Sequence, residues 1–419
     1  MMKIFYDVII LGGGPAGLAA AIEAKKNGAD ALLIEREERL GGILKQCIHD
    51  GFGIVKFKER LTGPEYADRY IKELKRLEIE HILQSFATGV EKTADGFILT
   101  VQNAEGVTNY KGKTLILACG CRERTSRQVM IQGTRPAGIY SAGTAQYYVN
   151  RMGLLPTKKC VILGSGDIGL IMARRLTLEG ANVIGVYEAK SAPGGLLRNI
   201  VQCLHDFNIP LHLEHTVTRV FGTERLTAVE ISRVDKNLQP IEGAEQIVNC
   251  DALILSVGLI PENELAEPLD VEICRSTNGP LCDQSNMTMV NGVYSCGNAM
   301  HVNDLVDYVS ESGEIAGRGA ARYKGGTRTF VDVSASKDFL YAVPQRLDID
   351  NLSGETTMFF RSCEVREKSI VRVLANNNEV FRKQYNQLRP PEMERITVDF
   401  GDVLRPGSLV TLIMEKPTV

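Results

Sequence analysis

Hydrophobic and polar positions near the start of the chain follow the pattern of a strand, a helix and a second strand. A short apolar run at Val8–Leu11 has the length of a buried parallel strand, and Leu18–Lys26 has the Ala-rich composition of a helix. A second apolar run, Ala31–Ile34, completes the unit. This order predicts a βαβ unit, in which a helix connects two parallel strands.

The same order of elements recurs in the middle of the chain. The second unit comprises the predicted strand Cys160–Leu163, the helix Leu170–Glu179 and the strand Asn182–Tyr187. Each unit also has a buried closing strand, Thr114–Ala118 in the first and Ala252–Val257 in the second. An internal repeat of this kind predicts two α/β domains that are built alike.

Other segments interrupt and follow the two units. Three short strands predict a small antiparallel insertion in the first unit, at Ser85–Thr93, Gly96–Gln102 and Val107–Lys111. The second unit carries its own β-rich stretch at Thr216–Val248. A strand at Asn291–Cys296 and a helix at Asp304–Tyr323 come next, and they predict that the chain returns to the first domain.

From about Arg328 onward the pattern changes to alternating, β-branched segments. The predicted strands are Phe330–Val333, Thr357–Arg361, Ile370–Ala375, Val380–Tyr385, Arg395–Phe400 and Ser408–Met414. The run Asn376–Asn378 is typical of a hairpin turn. This segment predicts a separate small β domain without a catalytic constellation, and docking or dimerisation is its default role.

A glycine motif lies between the first strand and the first helix. Gly12 allows the tight turn, Gly14 lets a pyrophosphate approach the backbone, and Gly17 lets the helix pack close to the strands. The helix N-terminus then offers free N–H groups to the phosphates. Glu35, 23 residues after Gly12, is placed to accept hydrogen bonds from ribose hydroxyls. These features together predict a dinucleotide site.

The second unit repeats this motif. Gly164, Gly166 and Gly169 have the same spacing, and Glu188 follows 24 residues after Gly164. A glycine pair also follows each acid, Gly41-Gly42 in the first unit and Gly194-Gly195 in the second. Two units built alike predict two bound dinucleotides. The alternative is a duplicated fold in which only the first site is filled.

Composition adds limits to this interpretation. The chain has 419 residues, a net charge of −3, 44% hydrophobic and 24% charged residues. This balance gives no reason to expect nucleic acid or an anionic membrane as a partner. No apolar run approaches the roughly 20 residues needed to cross a bilayer. The first residues lead directly into the first strand and leave no room for a signal peptide, so the expected location is the cytoplasm.

The ten cysteines do not form a recognisable redox or metal motif. None makes a CxxC pair, and no Cys/His cluster has the spacing of a zinc or iron–sulfur site. No metal site is therefore predicted. For most of these cysteines we expect reduced, buried thiols.

The order of the two units and the return segment resembles the pyridine nucleotide–disulfide oxidoreductase superfamily. The resemblance implies that the first unit and the return segment bind FAD and that the inserted unit binds NAD(H). The fold class is then α/β, with two Rossmann-like domains and a small C-terminal β domain. The domains implied are 1–150 with 259–327 for FAD, 151–258 for NAD(H), and 328–419 for the C-terminal β domain.

The resemblance also implies the residues that bind each cofactor. For FAD they are Gly12, Gly14, Pro15, Ala16, Gly17, Glu35, Arg36, Gly41, Gly42, Val90, Gly120, Gly297 and Asn298. For NAD(H) they are Gly164, Gly166, Asp167, Ile168, Gly169, Glu188 and Gly258. The superfamily usually has Asp where this chain has Asn298, whose amide still hydrogen-bonds a hydroxyl. An acid at Glu188 repels a 2′-phosphate and favours NAD over NADP, although nearby Lys190 weakens that preference.

Four longer motifs resemble the flavoprotein subunits of multi-subunit dehydrogenases. They are GGILKQCIHDGFG (41–53), CGCRER (119–124), GTRPAGIYSAGTAQ (133–146) and GNAMHVNDLVDYVSESGEIAG (297–317). This branch includes flavoprotein subunits of hydrogen cyanide synthase, opine oxidase and sarcosine oxidase. The nearest resemblance is to the flavoprotein encoded beside an anaerobic-type glycerol-3-phosphate dehydrogenase. It implies a partner that oxidises the organic substrate while this chain exchanges electrons with NAD(H).

Three side chains are candidates for catalysis. Cys47 could supply a single reactive thiol, as in NADH oxidases and peroxidases, with His49 lowering its pKa. A disulfide reductase would need two cysteines near the flavin, about five residues apart in the first unit or as CxxC in the second, and the sequence has neither pattern. Cys119 and Cys121 flank Gly120, and such a CxC pair is a strained dithiol. His301 and Asp304 could contact the pyrimidine edge of the flavin, unless Asp304 caps the following helix. A non-catalytic nucleotide-binding scaffold and a homo-oligomer are the further alternatives.

Overall fold

A computed structural model describes residues 4–352 and 354–416. The chain divides into two compact units, one formed by Met1–Cys121 with Pro261–Val419 and the other by Arg122–Ile260. The unit boundaries therefore differ from the domain limits 150 and 258 that the resemblance implies. Residues 1–3, 353 and 417–419 of the implied domains lie outside the described residues.

The first stretch of the chain alternates strands and helices. Its elements are β1 (Phe5–Leu11), α1 (Pro15–Lys26), β2 (Ala31–Ile34), β3 (Asp50–Phe52), β4 (Leu61–Thr62), α2 (Gly63–Arg76), β5 (Glu80–Ile82), β6 (Phe86–Thr93), β7 (Gly96–Asn103) and β8 (Gly106–Leu117).

The middle stretch repeats this alternation. Its elements are β9 (Cys121–Glu123), β10 (Gln132–Gly133), β11 (Ile139–Ser141), α3 (Ala142–Met152), β12 (Lys159–Leu163), α4 (Asp167–Leu178), β13 (Asn182–Glu188), α5 (Leu197–Cys203), β14 (Leu211–Leu213), β15 (His215–Gly222), β16 (Leu226–Val234), β17 (Pro240–Asn249), β18 (Ala252–Leu255) and β19 (Leu259–Pro261).

The last stretch has one long helix and is otherwise built of strands. Its elements are β20 (Val293–Ser295), α6 (Val306–Ala321), β21 (Phe330–Ala335), β22 (Phe339–Val343), β23 (Arg346–Asp348), β24 (Glu355–Ser362), β25 (Arg366–Ala375), β26 (Asn378–Leu388), β27 (Glu394–Asp399) and β28 (Leu409–Glu415).

The main sheet of the first unit has the order β5-β2-β1-β8-β7-β6, and β20 also pairs with β8. Strand β1 lies between β2 and β8 and is parallel to both. The sequence predicts two separate strands where the structure has the single strand β8. Its first half pairs antiparallel with β7, and its second half pairs parallel with β1. The insertion is therefore continuous with the parallel sheet, because backbone hydrogen bonding to β1 begins before pairing with β7 ends.

Helix α1 is held against the sheet by a second helix, α6, that approaches it at backbone contact distance. A Cβ atom added at Gly313 would lie 2.1 Å from the carbonyl oxygen of Ala16, and one added at Gly317 would lie 2.2 Å from that of Ala20. The two glycines lie one helical turn apart on the face of α6 that meets α1. Only glycine permits this separation.

The second unit repeats the same architecture. Its parallel sheet has the order β11-β18-β12-β13-β14, and β15, β16 and β17 form an antiparallel meander. Buried side chains pack on both faces of the sheet. The internal repeat expected from the sequence is thus present, and the predicted α/β fold class is confirmed.

The C-terminal segment contributes two further sheets within the first unit. Their strand orders are β23-β21-β28-β25-β26 and β22-β24-β27, and they enclose a hydrophobic core of their own. All six predicted strands are present, whereas β22 and β23 were not predicted from the sequence. Asn376 and Asn377 both have positive φ angles, of 50° and 68°, as a tight hairpin turn requires. Among the described residues, no helix has the length and apolar character that a membrane crossing requires.

We expect Gly313→Ala to destabilise the protein by about 2 kcal/mol or more, because the added methyl group overlaps a backbone oxygen that cannot move alone. Gly89→Ala is the matched control, since no heavy atom lies within 4 Å of the position of its added Cβ. Urea unfolding curves of the two variants and the wild type provide the measurement. Equal unfolding midpoints for the two variants would contradict the close packing of α1 and α6.

Candidate functional site

The first glycine loop has the geometry that its sequence predicts. Gly12 has a φ of +105°, and a Cβ atom there would lie 2.4 Å from the carbonyl oxygen of Ala118. A Cβ atom at Gly17 would lie 1.8 Å from the carbonyl oxygen of Gly12. Gly14 is the N-cap of α1 and makes no side-chain cap, so the first N–H groups of the helix are open to an anion.

A second glycine pair lies against this loop. The Gly41 N–H donates to the carbonyl oxygen of Gly13 over 2.8 Å. A Cβ atom at Gly42 would lie 2.9 Å from the Cα atom of Gly14, whereas a Cβ atom at Gly14 would meet only Gly42, at 3.9 Å. The two loops therefore enclose a cradle with open backbone on its inner side. Pyrophosphate fits such a cradle, since it needs N–H groups and no side-chain bulk.

The Glu35 carboxylate joins the glycine loop to the turn after β2. It is only 6% exposed. Its Oε2 accepts from the Gly13 N–H over 2.6 Å, and its Oε1 accepts from the Glu37 N–H over 2.8 Å. A carboxylate has about four acceptor positions, so two remain for ribose hydroxyls. Glu35 thus has a structural contact in addition to its predicted binding role.

The second unit reproduces this arrangement. Oε2 of Glu188 accepts from the N–H and the hydroxyl of Ser165, over 3.0 and 2.7 Å. Its Oε1 accepts from the Lys190 N–H over 3.0 Å. Ser165 and Lys190 occupy the positions that Gly13 and Glu37 have in the first unit. Both predicted acids therefore bind the glycine loop of their own unit in the same way.

The glycine loop of the second unit is equally close to its sheet. A Cβ atom at Gly164 would lie 2.1 Å from the carbonyl oxygen of Ser256, and one at Gly169 would lie 2.6 Å from that of Gly164. Gly166 is the N-cap of α4, without a side-chain cap. Asp167, in the first turn, accepts from the Leu196 N–H and the Asn199 amide over 2.9 and 2.7 Å. Its carboxylate therefore holds the start of α5 beside the loop.

The remaining predicted binding residues have more varied surroundings. Pro15 and Ala16 form the first turn of α1, and Arg36 is exposed beside Glu35. Gly120 and Gly258 both have positive φ angles, and a Cβ atom at Gly120 would meet open space.

Two predicted residues, Val90 and Ile168, pack their side chains into hydrophobic clusters. The backbone that borders Glu35 is instead that of Ser85, whose N–H donates to the Glu35 carbonyl over 3.0 Å, and of Gln84 next to it. The positive φ of 50° at Gln84 marks this turn, and a single sequence offered no signal for it.

Gly297 brings the return segment to the first turn of α1. It has a φ of +61°, and a Cβ atom there would lie 2.8 Å from that of Ala16. The Asn298 side chain is fixed on two sides. Its Oδ1 accepts from the Asn303 N–H over 3.0 Å, and its Nδ2 lies 3.5 Å from the Cys121 Sγ. A backbone N–H is always a donor, so this contact identifies the amide atom that faces Asn303 as the oxygen.

The helix predicted at Asp304–Tyr323 is present as α6, which is two residues shorter at each end. A short 3-10 turn, Gly297–Ala299, comes first, and α6 begins only at Val306 with Leu305 as its N-cap. The helix dipole therefore does not start directly after Gly297. Asp304 does not cap α6, because its carboxylate is paired with Arg361 and accepts from the Met393 N–H over 2.6 Å. The capping role considered for Asp304 does not agree with these contacts, and its contact with the flavin stays a prediction.

Cys47 is a buried thiol. It is 5% exposed, and its Sγ contacts the Ile43 carbonyl oxygen at 3.4 Å. Burial raises its pKa to about 12, so the reactive thiolate is scarce at neutral pH. His49, proposed to activate it, packs its ring on Phe52 at 4.9 Å and directs Nδ1 toward the Asp50 carbonyl. These surroundings disfavour thiol chemistry at Cys47.

His301 is also buried, at 1% exposure. Its ring lies between those of Tyr341 and Phe359, with centroid distances of 6.0 and 5.5 Å. Burial, together with the positive charge of Arg361, lowers its pKa to about 4. The imidazole is therefore neutral at pH 7 and packed against the C-terminal strands, which disfavours a role in proton transfer.

A family model described as pyridine nucleotide-disulphide oxidoreductase matches residues 6–316. Hydrogen cyanide synthase subunit HcnB of Pseudomonas protegens is 28% identical over 301 residues, which cover 66% of this chain and 62% of that protein. The opine oxidase of Agrobacterium tumefaciens has one subunit that is 22% identical over 338 residues, which cover 76% of this chain and 65% of that protein. The chain thus spans less than two thirds of the length of either relative.

A solved structure supports the fold. Thioredoxin reductase of T. acidophilum superposes with a TM-score of 0.63 at 21% identity, covering 76% of this chain and 98% of that one. At this level of identity the likeness concerns the fold alone.

We expect Cys47→Ser to leave the rate of NADH-driven flavin reduction within about twofold of the wild type, because a buried neutral thiol has no part in that step.

In the folded protein at pH 8, iodoacetamide should label Cys274 before Cys47. Burial raises the pKa of Cys274, but hydrogen bonds from Ser276 and Thr277 outweigh that effect and lower it overall. Peptide mass spectrometry measures the order, and faster labelling of Cys47 would restore it as a candidate nucleophile.

We expect His301 to make the protein less stable as pH falls from about 6.5 to about 4. In that range the unfolded chain binds a proton at this histidine and the folded chain does not, which corresponds to about 3 kcal/mol. His301→Leu should remove this contribution, so its stability should decline less steeply than that of the wild type. Urea unfolding at pH 7.0, 5.5 and 4.5 measures the difference, and parallel pH profiles would refute the assignment.

Proposed function

We propose, since this chain belongs to the pyridine nucleotide-disulphide oxidoreductase family, that it passes electrons between NAD(H), its FAD and a partner dehydrogenase. Members of this family bind FAD and NAD(P)H, and the chain is an oxidoreductase of that class. The partner is a separate protein that oxidises an organic substrate. The sequence resemblance favours a dehydrogenase of the glycerol-3-phosphate type.

One observation carries the proposal, namely that two glycine loops are each held by an acid in the same way. Glu35 and Glu188 each accept from the loop backbone of their own unit and from the N–H two residues further along the chain. In each unit the acid lies beside an uncapped helix N-terminus, which suits the ribose and pyrophosphate of a dinucleotide. The repeat therefore supports two functional dinucleotide sites and disfavours a second unit that is only structural.

In this proposal the residues named for each cofactor bind it mainly through backbone. The N–H groups at the N-termini of α1 and α4 bind the pyrophosphates, and Glu35 and Glu188 accept from the adenosine ribose hydroxyls. The loop at Gly297 and Asn298 orients the flavin side of the first site. The two cofactors, when bound, would supply hydride transfer between nicotinamide and flavin. The chain's own part is to align the rings and exclude water.

The burial of the candidate thiol supports a separate electron acceptor. All ten cysteines are outside disulfide bonds in the structure, and Cys47, the best placed by sequence, is buried. Relatives whose names describe subunits of larger enzymes support a partner protein. Four exposed apolar side chains between β2 and α2 offer such a partner a contact surface, namely Ile43, Ile48, Ile54 and Val55. A stand-alone NADH oxidase is the second candidate, and burial of Cys47 counts against it.

The test is anaerobic. We expect the purified protein to carry FAD whose visible absorbance is rapidly bleached by NADH, and more slowly by NADPH. When oxygen is then admitted, little NADH should be consumed, because the proposed electron acceptor is a partner protein and not oxygen. Fast turnover with oxygen would favour the oxidase instead. Absence of bleaching by either nucleotide would reject the proposed second site.

Matched substitutions of the two acids test each site separately. Glu188→Gln keeps an acceptor oxygen and removes the charge that repels a 2′-phosphate, so the preference for NADH over NADPH should fall by about tenfold. Glu188→Arg should reduce it further. Glu35→Gln, the same change in the first unit, should weaken FAD retention and leave coenzyme preference unchanged. Steady-state kcat/KM with both nucleotides is the measurement, and an unchanged preference in Glu188→Gln would contradict the NAD(H) assignment.

A further inference from the structure

Arg361, on β24, is the centre of a contact between the C-terminal strands and the segment that follows Gly297. Its Nε donates to the Tyr341 hydroxyl over 2.7 Å, and its Nη1 donates to the Pro391 carbonyl over 2.5 Å. Its Nη2 donates to the Val302 carbonyl over 3.3 Å and is paired with the Asp304 carboxylate. The planar guanidinium thus binds four residues at once, two from the C-terminal strands and their connections and two from the segment after Gly297.

The same segment, which we call the 297–305 loop, is held from the C-terminal side at further positions. The Met393 N–H binds the second carboxylate oxygen of Asp304 over 2.6 Å. Met300 belongs to a buried cluster with Val343, Phe359 and Met393. The loop therefore has one face packed against the C-terminal strands along much of its length.

The opposite face of the loop belongs to the dinucleotide fold. The Gly297 N–H donates to the Ser312 hydroxyl over 3.1 Å. The Asn298 side chain accepts from the N–H of Asn303 over 3.0 Å and from its side-chain amide over 3.3 Å. Asn303 itself lies between Val302 and Asp304, the two residues that Arg361 binds. Arg361 thus holds the residues on either side of Asn303, and Asn303 in turn donates to the amide oxygen of Asn298.

We propose that Arg361 is a positioning residue for Asn298, and that the C-terminal strands serve to brace the cofactor site. The inference rests on the proposed FAD site, because Asn298 is the residue assigned there to the flavin side. Without Arg361, the carboxylate of Asp304 would lose its ion pair, and the Val302 carbonyl would lose the guanidinium as a donor. Asn303 would then no longer be held on both sides. A docking or dimerisation role, the default prediction for this segment, is not needed to explain these contacts.

A second arginine in the same interface provides the matched control. Arg395, on β27, makes a two-pronged contact with Glu311 of α6, with N···O distances of 2.5 to 3.1 Å. It joins the C-terminal strands to the same unit but does not bind Val302 or Asp304. Loss of Arg395 therefore weakens the attachment of the C-terminal strands and leaves the contacts to Asn303 intact.

The experiment compares Arg361→Ala with Arg395→Ala in the full-length chain. FAD is removed and added back, and its dissociation constant is measured by quenching of flavin fluorescence, together with the urea unfolding midpoint. We expect Arg361→Ala to weaken FAD binding by about tenfold and to change the shape of the flavin absorption band. Arg395→Ala should weaken binding by less than about threefold at a similar loss of stability. Arg361→Lys, which keeps the charge but not the fork, should lie between the wild type and Arg361→Ala.

Asn303→Ala tests the intermediate link. It removes only the side-chain amide donor to Asn298 and keeps the backbone N–H, so it should weaken FAD binding by less than Arg361→Ala does. The double variant should be no weaker than Arg361→Ala alone, because both changes act on the same loop contacts. Additive effects, or equal losses of affinity in the Arg361 and Arg395 variants, would overturn the proposal.

Hydrogen–deuterium exchange of the FAD-free protein separates this proposal from the proposed function. Arg361→Ala should accelerate exchange within residues 297–305, and Arg395→Ala should not. A wild type that binds no FAD would reject the proposed cofactor site, while this exchange pattern would still show that Arg361 holds the loop. Unchanged exchange in Arg361→Ala would overturn the positioning role whatever the cofactor.

Discussion

Close contact between two helices underlies the geometry of the first unit. Gly313 and Gly317 of α6 meet the backbone of α1 at distances that admit no side chain. Helix α1 carries the glycine loop at its N-terminus, so its position decides where that loop lies relative to the strand ends. Gly297 approaches the same first turn of α1 from the return segment. The glycine loop and the return segment, which are far apart in sequence, therefore meet at one cradle. They can approach this closely because glycine has no side chain to keep the backbones apart.

Within this frame the two acids give both dinucleotide loops a preformed shape. Glu35 and Glu188 are already bound to the backbone of their glycine loops. A ligand that enters such a loop has little ordering to impose, which reduces the entropic cost of binding. The same contacts explain why an acid belongs at this position in addition to any hydrogen bond it makes to ribose. The candidate site is accordingly built from backbone and carboxylates, which suits the binding of cofactors that carry their own chemistry.

The residues that sequence reasoning selected for chemical reactivity did not have the surroundings that such roles need. Cys47, His49 and His301 were candidates because of their type and their proximity to glycine motifs. In the structure Cys47 and His301 are buried, and burial moves both pKa values away from neutrality in the direction of the uncharged form. Burial depends on which distant elements cover a side chain. The β strands that cover His301 lie many residues further along the chain, so the sequence around His301 does not predict that they cover it.

Elements and motifs that depend only on residues close together in the chain can be predicted from the sequence. The βαβ repeats, the glycine loops with their acids and the six predicted C-terminal strands follow from periodicity and spacing over a few tens of residues. Tertiary structure decided what depends on contacts between distant segments. These are the continuity of β8 across two pairing modes and the partner of Asp304. That partner, Arg361, lies 57 residues away, and the spacing of a single sequence carries no signal for an ion pair that forms only when two folded elements meet.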